Sequence, residues 1–310
     1  MLDQFVHGRV RRISPEAPVP VVEFERESFM PGGAANVARN LTSLGARAEM
    51  VGVIGRDAAG VQLRGLLEQH RVDCSALFPS QSRMTIKKTR IIAHQQQVAR
   101  VDRERILPLT RHEHGRLWDA VSERLPGVDA VIVGDYGKGL VTQAFLDQLT
   151  MACRERGVWL SLDPKPIHAL ELGGLSLLTP NRKEAFELAG RVDDQRQANP
   201  LVDAPLLEVA DCLLQKLKPA LLLVTLGDQG MLLCQRGEPA VYIPTAAREV
   251  FDVSGAGDTV IGAFTLAVAA GASPLEAAIL SNHAAGVVVG KFGTATVSPG
   301  ELAARFRRSS

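Results

Sequence analysis

Apolar residues follow two alternating rhythms along this chain. Short runs rich in Leu, Val and Ile occupy residues 48–54, 130–133, 158–162, 175–178, 221–225 and 231–234. Between them lie longer segments whose apolar residues recur every three or four positions: 34–44, 61–70, 112–124, 142–156, 183–189 and 205–217. The first rhythm predicts buried strands and the second amphipathic helices. Repeated strand–helix alternation predicts an α/β fold whose parallel sheet is covered on both faces, with functional residues at the C-terminal ends of the strands. Polar clusters stand at those ends: Gly134-Asp-Tyr-Gly-Lys-Gly139, Asp163-Pro-Lys165, Thr179-Pro-Asn181 and Gly227-Asp-Gln-Gly230.

Two stretches break the alternation. Residues 19–24, and 85–93 followed by 97–101, look extended with no helix between them. They predict a small antiparallel sheet standing off the main body as a lid, its strands within 12–28 and 84–103 of a single domain spanning 1–310. Residues 83–105 carry seven Lys or Arg and two acidic residues. That charge suits an anionic substrate, and it equally suits an edge strand protected against aggregation. The longest apolar run, 260–270, is too short to span a bilayer and predicts a buried helix.

Composition narrows the function classes. With 310 residues and 46% apolar content, the chain can bury one large core or two modest ones. A net charge of +1 gives no bulk electrostatic case for nucleic acid or an anionic membrane. Cys74, Cys153, Cys212 and Cys234 are scattered without a C-x-x-C pair, which favours a reduced, cytoplasmic protein over a disulfide scaffold or zinc site. The first residues lack the apolar core of a secretion signal.

Three motifs carry candidate chemistry. Asp252-Val-Ser-Gly-Ala-Gly-Asp258-Thr259 runs directly into the apolar stretch 260–270. A Gly-Ala-Gly bend opening a helix exposes unpaired N–H groups at the positive end of the helix dipole, where an anion can sit. Asp258 at that mouth is either a helix cap or a base that takes a proton from an attacking hydroxyl. Asn181-Arg-Lys-Glu184 has the spacing of a capping box, and the same spacing lets an amide and a carboxylate hold a hydrated Mg²⁺. Pro31-Gly-Gly-Ala-Ala-Asn36 is a plain helix start, or a close backbone approach with an amide able to meet sugar hydroxyls. Other signals fail. Gly286-Val-Val-Val-Gly-Lys291 lacks the loop length and the Ser/Thr of a phosphate-binding loop, Gly137-Lys-Gly139 lacks a third glycine, and His112 and His114 sit in a charged helix.

In their order, the Gly32-Gly33-x-x-Asn36, Asn181-x-x-Glu184 and Asp252-x-x-Gly-Ala-Gly-Asp258 segments resemble the signatures of the ribokinase (phosphofructokinase-B) family of sugar kinases. The resemblance covers essentially the whole chain. Arg12-Ile-Ser-Pro-Glu-Ala-Pro-Val-Pro-Val-Val22, Asp135-Tyr-Gly-Lys-Gly139, Asp163-Pro-Lys165 and the 286–291 segment are similar to the branch that phosphorylates D-glycero-β-D-manno-heptose 7-phosphate, a step toward the ADP-heptose of the lipopolysaccharide core. Many members are fused to an adenylyltransferase; no H-x-G-H motif of that activity occurs here, so a stand-alone kinase is expected. Family members begin with an apolar strand ending in Gly-Asp, just before a segment like Met1-Leu-Asp3. A sheet without that strand is expected to leave backbone groups unpaired.

The resemblance implies a ribokinase-like three-layer fold with a mostly parallel central sheet and a β-sheet lid. It implies Asp258 as base, with the Gly255, Ala256 and Gly257 N–H groups steadying the transferring phosphoryl group of ATP. Asn181 and Glu184 are implied to orient Mg²⁺ and its waters at the triphosphate. Thr225, Gly227, Asn282 and Lys291 are its candidates for the adenosine side. Asp3, Gly33 and Asn36 are expected on the sugar hydroxyls, Lys165 near an anion, and Lys88, Arg90 and Arg100 on the substrate's own phosphate. A homodimer through the lid is implied as well. The alternatives are a kinase for another small sugar and a non-catalytic sugar-binding relative.

Overall fold

The computed structural model describes residues 1–94, 96–167 and 170–307. Its central sheet runs in the order β12-β11-β10-β9-β8-β7. These strands are β7 (Ala130–Gly134), β8 (Trp159–Asp163), β9 (Leu177–Leu178), β10 (Leu221–Thr225), β11 (Met231–Gln235) and β12 (Val241–Ile243). Strands β7 to β10 are parallel, while β11 and β12 return antiparallel. The strand alternation sorts side chains into two cores. Leu222, Val224, Leu232 and Cys234 face α3 (Arg111–Arg124), α4 (Gln143–Arg156), α5 (Arg182–Ala189) and α6 (Ala204–Lys216). Leu221, Leu223, Met231 and Leu233 face α7 (Ala256–Ala269) and α8 (Pro274–Val288). Burial on both faces is why these strands read as continuous apolar runs.

The parallel strands do not form one continuous sheet. β3 (Gly52–Gly55) and β4 (Leu77–Ser80) pair with each other alone, although residues 48–54 were expected in the main sheet. Glu49 contributes only an isolated bridge to Asp73. Among the described residues, neither β3 nor β7 has a ladder partner on its second side.

The lid is larger than expected. Its order is β2-β1-β5-β6, from β1 (Leu2–Ile13), β2 (Pro20–Pro31), β5 (Lys87–Ala93) and β6 (Gln96–Arg103). β1 escaped the sequence reading because only Leu2, Phe5 and a few neighbours turn inward while charged residues fill its second half. β1 pairs antiparallel with β2 and parallel with β5, so long-range ladders rather than local pattern hold it extended. Helix α1 (Ala34–Ser43) follows β2 directly, α2 (Ala58–Gln69) lies beneath with β3 and β4, and α9 (Pro299–Arg307) closes the described chain. The apolar stretch 260–270 is helix α7, packed between the sheet, α1 and α8. No helix of the described residues is long and apolar enough to cross a membrane.

Candidate active site

Helix α7 starts at Gly255, whose φ of 79° places it in the left-handed region. The preceding turn is pinned by Asp252, which accepts from the N–H groups of Ser254 (2.9 Å) and Gly293 (3.0 Å). The Ala256 N–H is engaged by the Val253 carbonyl at 3.2 Å, which narrows the expected three-donor anion hole. The N–H groups of Gly257 and Asp258 in the first turn point along the axis without intrahelical partners, whereas that of Thr259 already donates to the Gly255 carbonyl at 3.0 Å. Asp258 stands in that turn, almost fully buried.

Both oxygens of Asp258 are held. Asn36 Nδ2 donates to Oδ2 at 2.9 Å, and the Tyr136 hydroxyl donates to Oδ1 at 2.7 Å. Asn36 comes from α1, which packs on α7, and Tyr136 comes from the loop after β7. Asn36, expected to grip sugar, also makes several contacts within the protein. Its Oδ1 accepts from Arg39 Nη2 at 3.0 Å and from Asn40 Nδ2 at 3.4 Å, leaving one N–H. Burial pushes the Asp258 carboxyl up to about 6, against the lowering effect of the Asn36 and Tyr136 donors and of Arg39. Burial also lowers the Arg39 guanidinium to about 10, so it stays positive at neutral pH beside Asp258 and Asp3.

Close approaches explain two of the glycines. A Cβ on Gly32 would lie 2.2 Å from Asp3 Oδ2, and one on Gly33 would meet the Tyr136 ring at 3.0 Å. Asp3 is buried and accepts from Arg90 Nη1 at 2.7 Å. The Arg90 guanidinium lies 5.4 Å from the centre of the Phe5 ring. Ladder pairing places Asp3, Phe5, Lys88, Arg90, Arg100 and Asp102 on one lid face, because Lys88 pairs with Asp3 and Asp102, and Arg90 with Phe5 and Arg100. Asp102 holds both Lys88 (3.1 Å) and Arg100 (2.9 Å).

Further along the same C-terminal edge of the sheet, the capping box at Asn181 is formed. Asn181 Oδ1 accepts from the Glu184 N–H, and Glu184 Oε2 accepts from the Asn181 N–H, each at 3.0 Å. The remaining Glu184 oxygen pairs with Lys165 at 3.0 Å. Asp163 ends β8 between Asp258 and Glu184, and burial together with those two carboxylates pushes it well above its ordinary value. Asn181 bridges to Thr225, bringing the first turn of α5 beside the end of β10, and Gly227 opens the next turn with a φ of 64°. Asn282 and Lys291, expected near adenosine, are committed to fold contacts. Asn282 Nδ2 donates to the Pro244 carbonyl at 2.7 Å, and Lys291 Nζ to the Thr296 carbonyl at 2.8 Å and to Glu301 at 2.6 Å.

Asp258, Asn36, Gly33 and Asp3 therefore gather at one end of a line of polar groups. Glu184, Asn181, Lys165 and Thr225 gather at the other, with Asp163 between. Tyr136 and Arg39 were missed by the sequence reading, although Tyr136 stands in a polar cluster directly after a strand.

Solved structures share the architecture. A ribokinase from Arabidopsis thaliana complexed with ribose and ATP superimposes with a TM-score of 0.77 at 20% identity, covering 99% of this chain and 96% of that one. Phosphofructokinase-2 from Escherichia coli, in complex with substrates and products, gives 0.78 at 23% identity, covering 99% and 95%. The fold is ribokinase-like. In sequence, the bifunctional protein HldE of Caulobacter vibrioides is 43% identical over 304 residues, and that of Desulfatibacillum aliphaticivorans 42% over 308. Those matches cover 98% and 99% of this chain but 61% of each relative, so the chain spans about three-fifths of their length. The model of the pfkB family carbohydrate kinases matches residues 4–300, and the chain belongs to that family of enzymes, which transfer phosphate to a sugar hydroxyl.

Proposed function

We propose that this protein phosphorylates D-glycero-β-D-manno-heptose 7-phosphate at O1, using ATP, in the cytoplasmic supply of ADP-heptose for lipopolysaccharide. The observation that carries the reading is the buried Asp258 carboxylate at the N-terminus of α7, with both oxygens oriented by donors. Identity to the HldE proteins over nearly the whole chain supports the choice of sugar.

Asp258 accepts the proton of the sugar's anomeric hydroxyl as that oxygen attacks the γ-phosphate of ATP. The backbone N–H groups of Gly255 and Gly257 and the positive end of α7 steady the charge on the transferring group. Asp3 and the Gly32-Gly33 backbone line the sugar side, and Thr225 and Gly227 the nucleotide side. The oxygen-only donor set of Glu184, Asp163 and Asn181 fits a hydrated Mg²⁺, since a cation relieves the mutual repulsion of Asp163 and Glu184. Glu184 and Asn181 would hold it, and its charge would screen the triphosphate. Lys165 then releases Glu184 and meets a phosphate. On the lid, Lys88, Arg90 and Arg100 share the inner face and receive the substrate's 7-phosphate, each exchanging a carboxylate partner for it. Exposed Ile13, Phe24, Val98 and Val101 elsewhere on the lid sheet support pairing with a second copy.

Purified protein given ATP and magnesium should show its highest kcat/KM with heptose 7-phosphate when compared with ribose, ribose phosphates and fructose phosphates. A clear preference for another sugar overturns the substrate, and no nucleotide consumption with any of them overturns the kinase reading. Lys88→Ala and Arg100→Ala should each raise KM for the phosphorylated heptose about ten-fold or more, the scale of a lost hydrogen bond to a charged group. An unchanged KM places the phosphate elsewhere.

A further inference from the structure

We propose that Tyr136 is a positioning residue for phosphoryl transfer: its hydroxyl on Asp258 Oδ1, opposite the Asn36 amide on Oδ2, fixes the plane of the base and favours its charged form. The proposal rests on the reading of Asp258 as the base.

The geometry is specific. Tyr136 Oη lies 2.7 Å from Oδ1, the shortest contact the carboxylate makes. The ring is wedged between glycines: an added Cβ would approach it to 3.0 Å from Gly33 and 2.7 Å from Gly134. Two backbone segments, one before α1 and one ending β7, thus clear space for a single aromatic side chain. Burial and the nearby Asp258, Asp163 and Asp3 carboxylates push the phenol well above its ordinary value, so it is a neutral donor at any working pH. A donor must give its proton to the carboxylate, which makes the charged form the favoured one. A carboxylate oxygen has two lone pairs, so Oδ1 can accept from Tyr136 and from the sugar hydroxyl together.

The second oxygen is arranged to match. Asn36 can donate to Oδ2 only if its amide is turned with Oδ1 away, and Arg39 Nη2 at 3.0 Å holds that orientation. Tyr136 has no such alternative to adopt. With its hydroxyl removed, Oδ1 has no protein donor among the described residues, and Asn36 on Oδ2 is left as the one side chain orienting the carboxylate.

The other charged groups around Asp258 set the background. They are Asp3 on β1 and Asp163 at the end of β8, which disfavour its charge, and Arg39 on α1, which favours it. None of them is altered by deleting one phenolic oxygen.

Tyr136→Phe deletes only that oxygen. The acid limb of the kcat profile should move up by about one pH unit, because loss of a donor to the charged form raises the carboxyl. At pH 8 kcat should still fall about ten-fold from misorientation of the base, with KM for the sugar nearly unchanged. Supplying 3-fluorotyrosine, a stronger donor, should move the limb the other way; the chain has two tyrosines, and Tyr242 lies on β12. The Asp258 carboxyl should also be followed by ¹³C resonance in sugar-free protein, wild type against Tyr136→Phe. An unmoved carboxyl titration overturns the proposal, as does a variant with lower KM and unchanged kcat, which would make Tyr136 a mere occupant of the sugar site. A carboxyl that shifts in a protein that phosphorylates no sugar upholds the contact and overturns the kinase reading instead.

Discussion

Asp258→Asn is expected to lower kcat by about 10² to 10⁴, the usual contribution of a positioned general base. Sugar affinity should survive. The substituted amide has the same shape, can accept from Asn36 with its oxygen, and can donate to the Tyr136 oxygen with its nitrogen. Steady-state kinetics and calorimetric titration of the sugar measure the two effects separately. Near wild-type kcat would remove Asp258 from the role of base.

The same substitution has an opposite effect on stability. The folded Asp258 carboxyl sits at about 6, above the 3.8 of the unfolded chain, so the native state binds this proton more tightly. Its contribution to stability is fully present below about pH 4 and is lost as pH rises through about 6. Above pH 6 the ionised, buried group costs the fold up to about 3 kcal/mol. Asp258→Asn should therefore raise the urea midpoint at pH 8, and the gain should fade towards pH 4. Loss of turnover with a gain in stability is the signature of a group retained for chemistry; a capping residue would show loss of both.

How far the sequence carried depended on whether a contact was local. Residues 221–225 are apolar at every position but the last, which is what a strand buried on both faces requires, and they form β10 as expected. The Gly-Ala-Gly bend announced both the start of α7 and its exposed N–H groups. At Asn181 and Glu184 the spacing fitted a cap and a metal pair equally, since both uses place an amide and a carboxylate on one first turn; the cap is formed, and Lys165 occupies the free oxygen. Strand β1 was illegible because its conformation is set by ladders to β2 and β5 rather than by its own alternation. The partners of Asp258 were illegible for the same reason. Asn36 and Tyr136 lie 222 and 122 residues away in the chain, and only the packing of α1 on α7 and the end of β7 brings them in. The contacts of Lys291 with Glu301 and of Asn282 with the Pro244 carbonyl were illegible in the same way, since each depends on packing rather than on local spacing.

Gly255→Ala should damage both the fold and turnover through a single methyl group. The residue's φ of 79° costs an L-residue about 1–2 kcal/mol. The new Cβ would stand 2.5 Å from Asn36 Nδ2 and 3.3 Å from Thr294 Cγ2. Asn36 is fully buried and tied to Arg39 and Asn40, so it cannot yield without turning its amide off Asp258. Strain and overpacking together should lower the unfolding free energy by about 2–4 kcal/mol. Displacing the donor on Oδ2 should lower kcat by about 10², the cost of an ångström-scale misplacement of a reacting group. Gly257→Ala provides the matched folding control: it lies inside α7, and its Cβ would meet nothing within 4 Å, so its unfolding midpoint should equal or exceed that of wild type. If Gly255→Ala unfolds at the wild-type midpoint with undiminished kcat, the contact between the start of α7 and Asn36 does not hold the base.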